Sequence, residues 1–126
     1  MLWVANRQPM AQSAREALAE AEQNPGGILV SPISAWELGQ LVARGRLALP
    51  RDPFDWFEAV VQVGIGLAPM PPEVLVASSF LPGTMLRDPA DKIMAATARA
   101  FGYRLMTRDK PLLDFAGEGH MQAIAC

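Results

Sequence analysis

Proline follows a small polar or acidic residue at Ser31-Pro32, Asp52-Pro53 and Asp88-Pro89, and Pro71-Pro72 stands between the last two. A side-chain oxygen at the N-cap followed by proline at the first helical position is a helix start. Short apolar runs alternate with the helices so begun: Ile28-Leu-Val30, Ile65-Gly-Leu67, Tyr103-Arg-Leu-Met-Thr107 and Gln122 to Ala125. Strands alternating with helices predict a parallel sheet with helices on both faces, an α/β fold.

The same punctuation sets the other boundaries. Residues 11–23 form an Ala/Glu-rich helix with Ala14, Ala17, Leu18 and Ala21 on its inner stripe, ended by Asn24-Pro-Gly-Gly27. The helix after Ser31-Pro32 runs to about Arg44, where Gly45 stops it, and Leu47-Ala-Leu49 is a brief extended piece. Asp52-Pro53 caps a helix over 53–62, and Pro71-Pro72 opens one through Ser79. Helix 90–101 ends at Gly102, Asp109 to Phe115 is a short turn or helix, and 122–125 is an edge strand. No repeat, low-complexity tract or linker interrupts the series, which predicts one domain over 1–126.

Composition narrows the function classes. A hydrophobic content of 51% is ample for one core, and a formal net charge of −2 argues against a general nucleic-acid coat without excluding a local grip. The single cysteine, Cys126, excludes an internal disulfide and fits a reducing cytosol, so a soluble cytoplasmic protein is expected. His120 is the lone histidine, which leaves Cys/His zinc sites and a Ser-His-Asp triad poorly supported. Met1 to Asn6 is apolar but far too short for a signal peptide or a membrane span.

Three acids stand where carboxylates need a reason. Glu37 lies four residues after Ile33 and four before Leu41, on the apolar face of its helix. Burying an unpaired carboxylate is costly, so Glu37 either has a partner, reaches water at the stripe's edge, or pairs with Arg44 or Arg46. Asp91 shares a face with Ala95 and Ala98, small residues that let a neighbour approach closely; capping by Asp88 and the helix dipole is the competing account. Asp109 follows strand 103–107, and open α/β sheets place their ligands beyond the carboxyl ends of strands; an ordinary turn or cap aspartate ahead of Lys110-Pro111 is the alternative. Together they suggest the wall of a divalent-cation site at one sheet edge. Hard cations such as Mg²⁺ or Mn²⁺ take oxygen ligands and keep several waters. Thr107 is a candidate to hold a metal-bound water, or simply a β-branched strand residue. Arg87, Lys92, Arg108 and Lys110 flank the acids and are candidates for phosphate contacts or plain surface charges; Lys92 and Arg99 are expected at the solvated flank of their helix. Trp36, Trp56 and Phe101 offer stacking surfaces for bases, although their helical spacing favours the core.

The stretches Val30-Ser-Pro-Ile-Ser-Ala-Trp-Glu-Leu38, Gly45-Arg-Leu-Ala-Leu49, Arg87-Asp-Pro-Ala-Asp-Lys-Ile-Met-Ala-Ala-Thr-Ala98 and Leu105-Met-Thr-Arg-Asp109 resemble, in order, the PIN-domain ribonucleases, specifically the VapC-type toxins of bacterial toxin–antitoxin pairs. The resemblance implies a three-layer α/β/α fold and Mg²⁺-dependent endonucleolytic cleavage of RNA. It makes Glu37, Asp91 and Asp109 the metal-site acids, with Asp88 a capping residue nearby. It also implies a homodimer silenced by a cognate antitoxin. The family begins with a central strand ending in an aspartate, whereas here Met1-Leu2-Trp3 resembles the end of the apolar run that follows it, and no acid precedes Glu16. A truncated first strand is therefore expected, from a mis-assigned start or a real loss, with weak folding and poor metal affinity if the loss is real. The competing function is a catalytically impaired remnant that binds the antitoxin. A receiver-type signalling domain ranks last, because Ile65-Gly-Leu67 leads into Ala68-Pro69 with no phosphoacceptor aspartate.

Overall fold

The computed structural model describes residues 11–24, 27–62, 64–83 and 86–126. The elements in chain order are α1 (Gln12–Glu22), β1 (Leu29–Val30), α2 (Ile33–Ala43), α3 (Pro53–Gln62), β2 (Gly66–Leu67) and α4 (Pro72–Ala77). A 3₁₀ turn (Ser78–Phe80) then leads to α5 (Pro89–Phe101), β3 (Arg104–Thr107), α6 (Lys110–Gly117) and β4 (Gln122–Ala125). The contacts divide the described chain into two units, residues 18–68 and residues 11–17 with 69–126.

In the first unit β1 and β2 pair in parallel, Leu29 opposite Gly66 and Val30 opposite Leu67. Both strands are two residues long because their sequences stop them. Ser31 and Pro32 turn the chain into α2, and Pro69, with no N–H to give, closes the path beyond β2. The N-cap position of α2 falls on Pro32, one residue later than the sequence places it, and the Ser31 hydroxyl accepts from the Ile33 N–H at 3.3 Å. At the other end of α2, Gly45 takes a φ of +70°. Its N–H donates to the Val42 carbonyl at 3.0 Å and the Arg46 N–H to the Leu41 carbonyl at 2.9 Å, the paired bonds of a Schellman ending. Asp52 caps α3 through Oδ2, which accepts from Phe54 N–H at 3.0 Å and Asp55 N–H at 3.3 Å. The core of this unit is Val30, Leu38 and Phe57, with Leu47 and Leu49 packed against it. The Leu47-Ala-Leu49 piece joins no ladder among the described residues, and Leu47 and Leu49 are partly buried against this core.

In the second unit β3 and β4 pair in parallel from Arg104 opposite Gln122 to Thr107 opposite Ala125, with α6 as the crossover between them. Leu86, Ala95, Leu112 and Phe115 form the core, and Leu81, Leu105 and Met121 pack on it. Helix α5 buries Ala90, Ala95, Ala96, Thr97 and Ala98, and the Thr97 hydroxyl is satisfied by the Ile93 carbonyl at 2.7 Å. Gly102 ends α5 at φ +68°, and a Cβ there would meet nothing within 4 Å. Gly102→Ala should therefore act through backbone conformation alone and cost about 1 kcal/mol, read as a lowered urea midpoint with unchanged slope. An unchanged midpoint would mean that another residue terminates the helix.

The parallel α/β character expected from the sequence is present. The sequence reading places the strands in one sheet, whereas among the described residues they form two ladders of two strands, one in each unit. The expected truncation of a first strand falls ahead of residue 11 and lies outside the described residues. None of the described helices is long and apolar enough to cross a membrane.

Candidate active site

Two of the expected acids, Asp91 and Asp109, lie in the second unit at the starts of its two longest helices. The first is built by the run Arg87-Asp-Pro-Ala-Asp91. Asp88 takes extended dihedrals and its Oδ2 accepts the Asp91 N–H at 3.1 Å, so α5 begins at Pro89 and Asp91 occupies its first turn. Asp88 is exposed and committed to the cap; Asp91 is half-buried.

The second start follows β3 directly. Thr107 ends the strand, and its hydroxyl oxygen accepts the Asp109 N–H at 3.0 Å. That bond turns the chain so that Asp109 becomes the N-cap of α6, with Oδ2 accepting from Leu112 N–H at 3.2 Å. Thr107 is thus a turn-former for Asp109 as well as a strand residue. Asp109 stands just beyond the carboxyl end of a parallel strand, half-buried, with one carboxylate oxygen engaged by the backbone and the other left for a further donor or a cation. Glu37 lies in the first unit, half-buried on α2 one residue before the buried Leu38. Among the described residues no group of three or more His, Cys, Asp or Glu side chains is gathered that would hold a metal ion. As a donor set, carboxylates with no thiol or imidazole suit a hard divalent cation.

The basic candidates have diverged in role. Lys110 forms an ion pair with Asp114 at 2.7 Å, and that hydrogen bond raises its pKa, but the pair is exposed and screened. Arg108 bonds the Cys126 side chain, where burial pushes the thiol up and the guanidinium draws it partly back, so Cys126 is no activated nucleophile. Arg99 is exposed, as expected at a solvated flank, and donates to the His120 carbonyl, tying the end of α5 to the loop before β4. Lys92, expected beside it, is half-buried. Arg87 and Lys92 have no carboxylate within ion-pair distance among the described residues.

Two of the three aromatics depart from the core role that helical spacing favours. Trp36 is 53% exposed and Phe101 42%, the latter stacked on Tyr103 with centroids 5.5 Å apart, while Trp56 packs against the first unit's core. The amphipathic pattern misleads here because a bulky ring at the edge of a stripe protrudes past its smaller neighbours. Ser78 and Ser79 are not singled out by the sequence reading. They line a cavity of about 270 Å³ with Arg87 and Lys92, and two serines in a short 3₁₀ turn carry no signal of that in the sequence.

Parallel strands, a capping aspartate at a strand's carboxyl end and a second acid in a helix's first turn are the features of an α/β protein with two acidic helix starts. The chain is similar to Ribonuclease VapC22 of Mycobacterium tuberculosis (strain ATCC 25618 / H37Rv), 29% identical over 110 residues that cover 87% of this chain and 81% of that one. The resemblance to the VapC-type proteins drawn from the motifs is thereby borne out. No family model and no solved structure matches the chain.

Proposed function

We propose that this chain is a divalent-metal-dependent endoribonuclease of the VapC toxin type, hydrolysing RNA phosphodiester bonds, with Glu37, Asp91 and Asp109 as its metal-holding acids. The observation that carries this reading is the similarity to a protein named a ribonuclease, which at 110 residues is longer than either unit and so draws on both. It also supports a single three-layer PIN-like domain over 1–126, a cytoplasmic location, a cognate antitoxin as partner and a second copy of the chain in a homodimer.

The residues have distinct tasks in this reading. Thr107 fixes the turn that presents Asp109, and the Leu112 N–H holds one carboxylate oxygen so that the other is oriented without further loss of side-chain freedom. Asp91 is set in the first turn of α5 by the Asp88 cap, and Glu37 supplies the third carboxylate. Mg²⁺ or Mn²⁺, when bound, polarises the phosphodiester and lowers the pKa of its water. The cations near Asp91 and Asp109 offset the charge of the incoming strand.

Incubation with single-stranded RNA in Mg²⁺, in Mn²⁺ and in EDTA tests the proposal. Internal cleavage should appear with either metal and vanish in EDTA. Cleavage that persists in EDTA would overturn the metal requirement. RNA or antitoxin binding with no cleavage at saturating metal would make the chain a non-catalytic binding module instead.

A further inference from the structure

The cavity of about 270 Å³ in the second unit is lined by Ser78, Ser79, Arg87 and Lys92, with Leu81 and Leu86 among its apolar residues. Its charges are one-sided. Neither Arg87 nor Lys92 has an ion-pair partner among the described residues, although Lys92 is half-buried, a position that favours an anion nearby. The acid adjacent to Arg87 in the chain, Asp88, is turned away into the cap of α5. The Ser78 hydroxyl spends its proton on the Leu75 carbonyl at 2.6 Å, whereas that of Ser79 has no partner among the described residues. The cavity therefore presents a guanidinium, an ammonium and one hydroxyl donor, the complement of a phosphate group.

We infer that this pocket, gripped by Ser79, Arg87 and Lys92, holds a backbone phosphate of the RNA strand. That the strand is RNA rests on the proposed nuclease function; the phosphate chemistry of the pocket does not. Lys92 follows Asp91 directly in α5, so a phosphate held here anchors the strand beside one of the proposed metal-site acids. The pocket sets position and carries no base readout.

Binding measured by fluorescence anisotropy with a labelled single-stranded RNA in EDTA separates this inference from catalysis. The Arg87→Ala/Lys92→Ala protein should bind about tenfold more weakly at moderate salt. Its plot of log affinity against log salt should be shallower by about 0.7, the contribution of one phosphate contact on a single strand. Arg87→Lys/Lys92→Arg should recover most of the affinity. Arg104→Ala, at the opposite end of β3 from Thr107, should leave the slope as it was. Competition by inorganic phosphate alone, with no effect of the substitutions on RNA, would overturn the inference in favour of a free-phosphate site. So would equal effects of the double variant and Arg104→Ala, which would reduce the pocket to bulk charge. If the double variant does not fold, Arg87→Ala alone answers, because that side chain is exposed and should weaken binding and flatten the slope in the same direction. A wild-type chain that binds RNA with the expected slopes but never cleaves it would sink the nuclease reading and leave the pocket standing.

Discussion

Asp109→Asn should cut RNA cleavage sharply while leaving the chain folded. The asparagine side-chain oxygen can still accept the Leu112 N–H that Asp109 holds at 3.2 Å, and asparagine ranks with aspartate as an N-cap. The Thr107 hydroxyl accepts from a backbone N–H, so that turn survives as well. What disappears is the negative charge at the end of β3. A charge that positions a divalent cation is worth several kcal/mol in the transition state, so turnover should fall roughly 10²–10³-fold. Thermal unfolding should change little. Asp109→Ala removes charge and cap together and should add a stability loss of about 1 kcal/mol. Single-turnover cleavage and melting, measured on all three proteins, separate the two roles. An Asp109→Asn protein that cleaves at the wild-type rate would remove Asp109 from the metal site and confine it to capping.

The largest stability effect should come from Phe115→Ala. Phe115 is 1% exposed at the centre of the second unit's core, against Leu86, Ala95 and Leu112, and its ring packs on His120 with centroids 4.8 Å apart. Truncating a buried phenylalanine to alanine typically costs 3–5 kcal/mol, from lost transfer energy and the cavity left behind. A domain of this size is stable by about 5–15 kcal/mol, so the substitution should remove a large share of it. Urea unfolding at neutral pH should show a strongly lowered midpoint, approaching loss of the folded baseline at 37 °C. A loss below about 1 kcal/mol would mean that the core closes around the gap.

Helix boundaries were the most legible part of this sequence because they are decided locally. Ser31, Asp52, Asp88 and Asp109 each make the short-range hydrogen bond their position announces, and Gly45 and Gly102 each take the left-handed conformation that ends a helix. The direction of strand pairing was legible too, since helical crossovers return the chain to the same end. Which strands pair was not: β1 and β2 are two residues long, and partner choice at that length is set by distant packing that leaves no periodic trace. In the candidate site, the caps of Asp88 and Asp109 belong to the local category. The engagement of Lys110 with Asp114 lies four residues away on one helix and was readable in principle. The bond between Arg108 and Cys126, and the serines facing Arg87 and Lys92, depend on where separate elements come to rest.

The inner face of α5 is built almost wholly of alanine, at 90, 95, 96 and 98, each at most 4% exposed. A surface so thin has no rotamers of its own to adjust, so an added carbon there falls on what packs against it, around Ala95 the side chains of Leu86, Leu112 and Phe115, or moves the helix. Drift at these sites is consequently one-directional: trimming to glycine is survivable, while enlargement overpacks the core against the helix that carries Asp91. Divergent descendants of this chain should keep this seam narrow even where their larger core residues are exchanged freely.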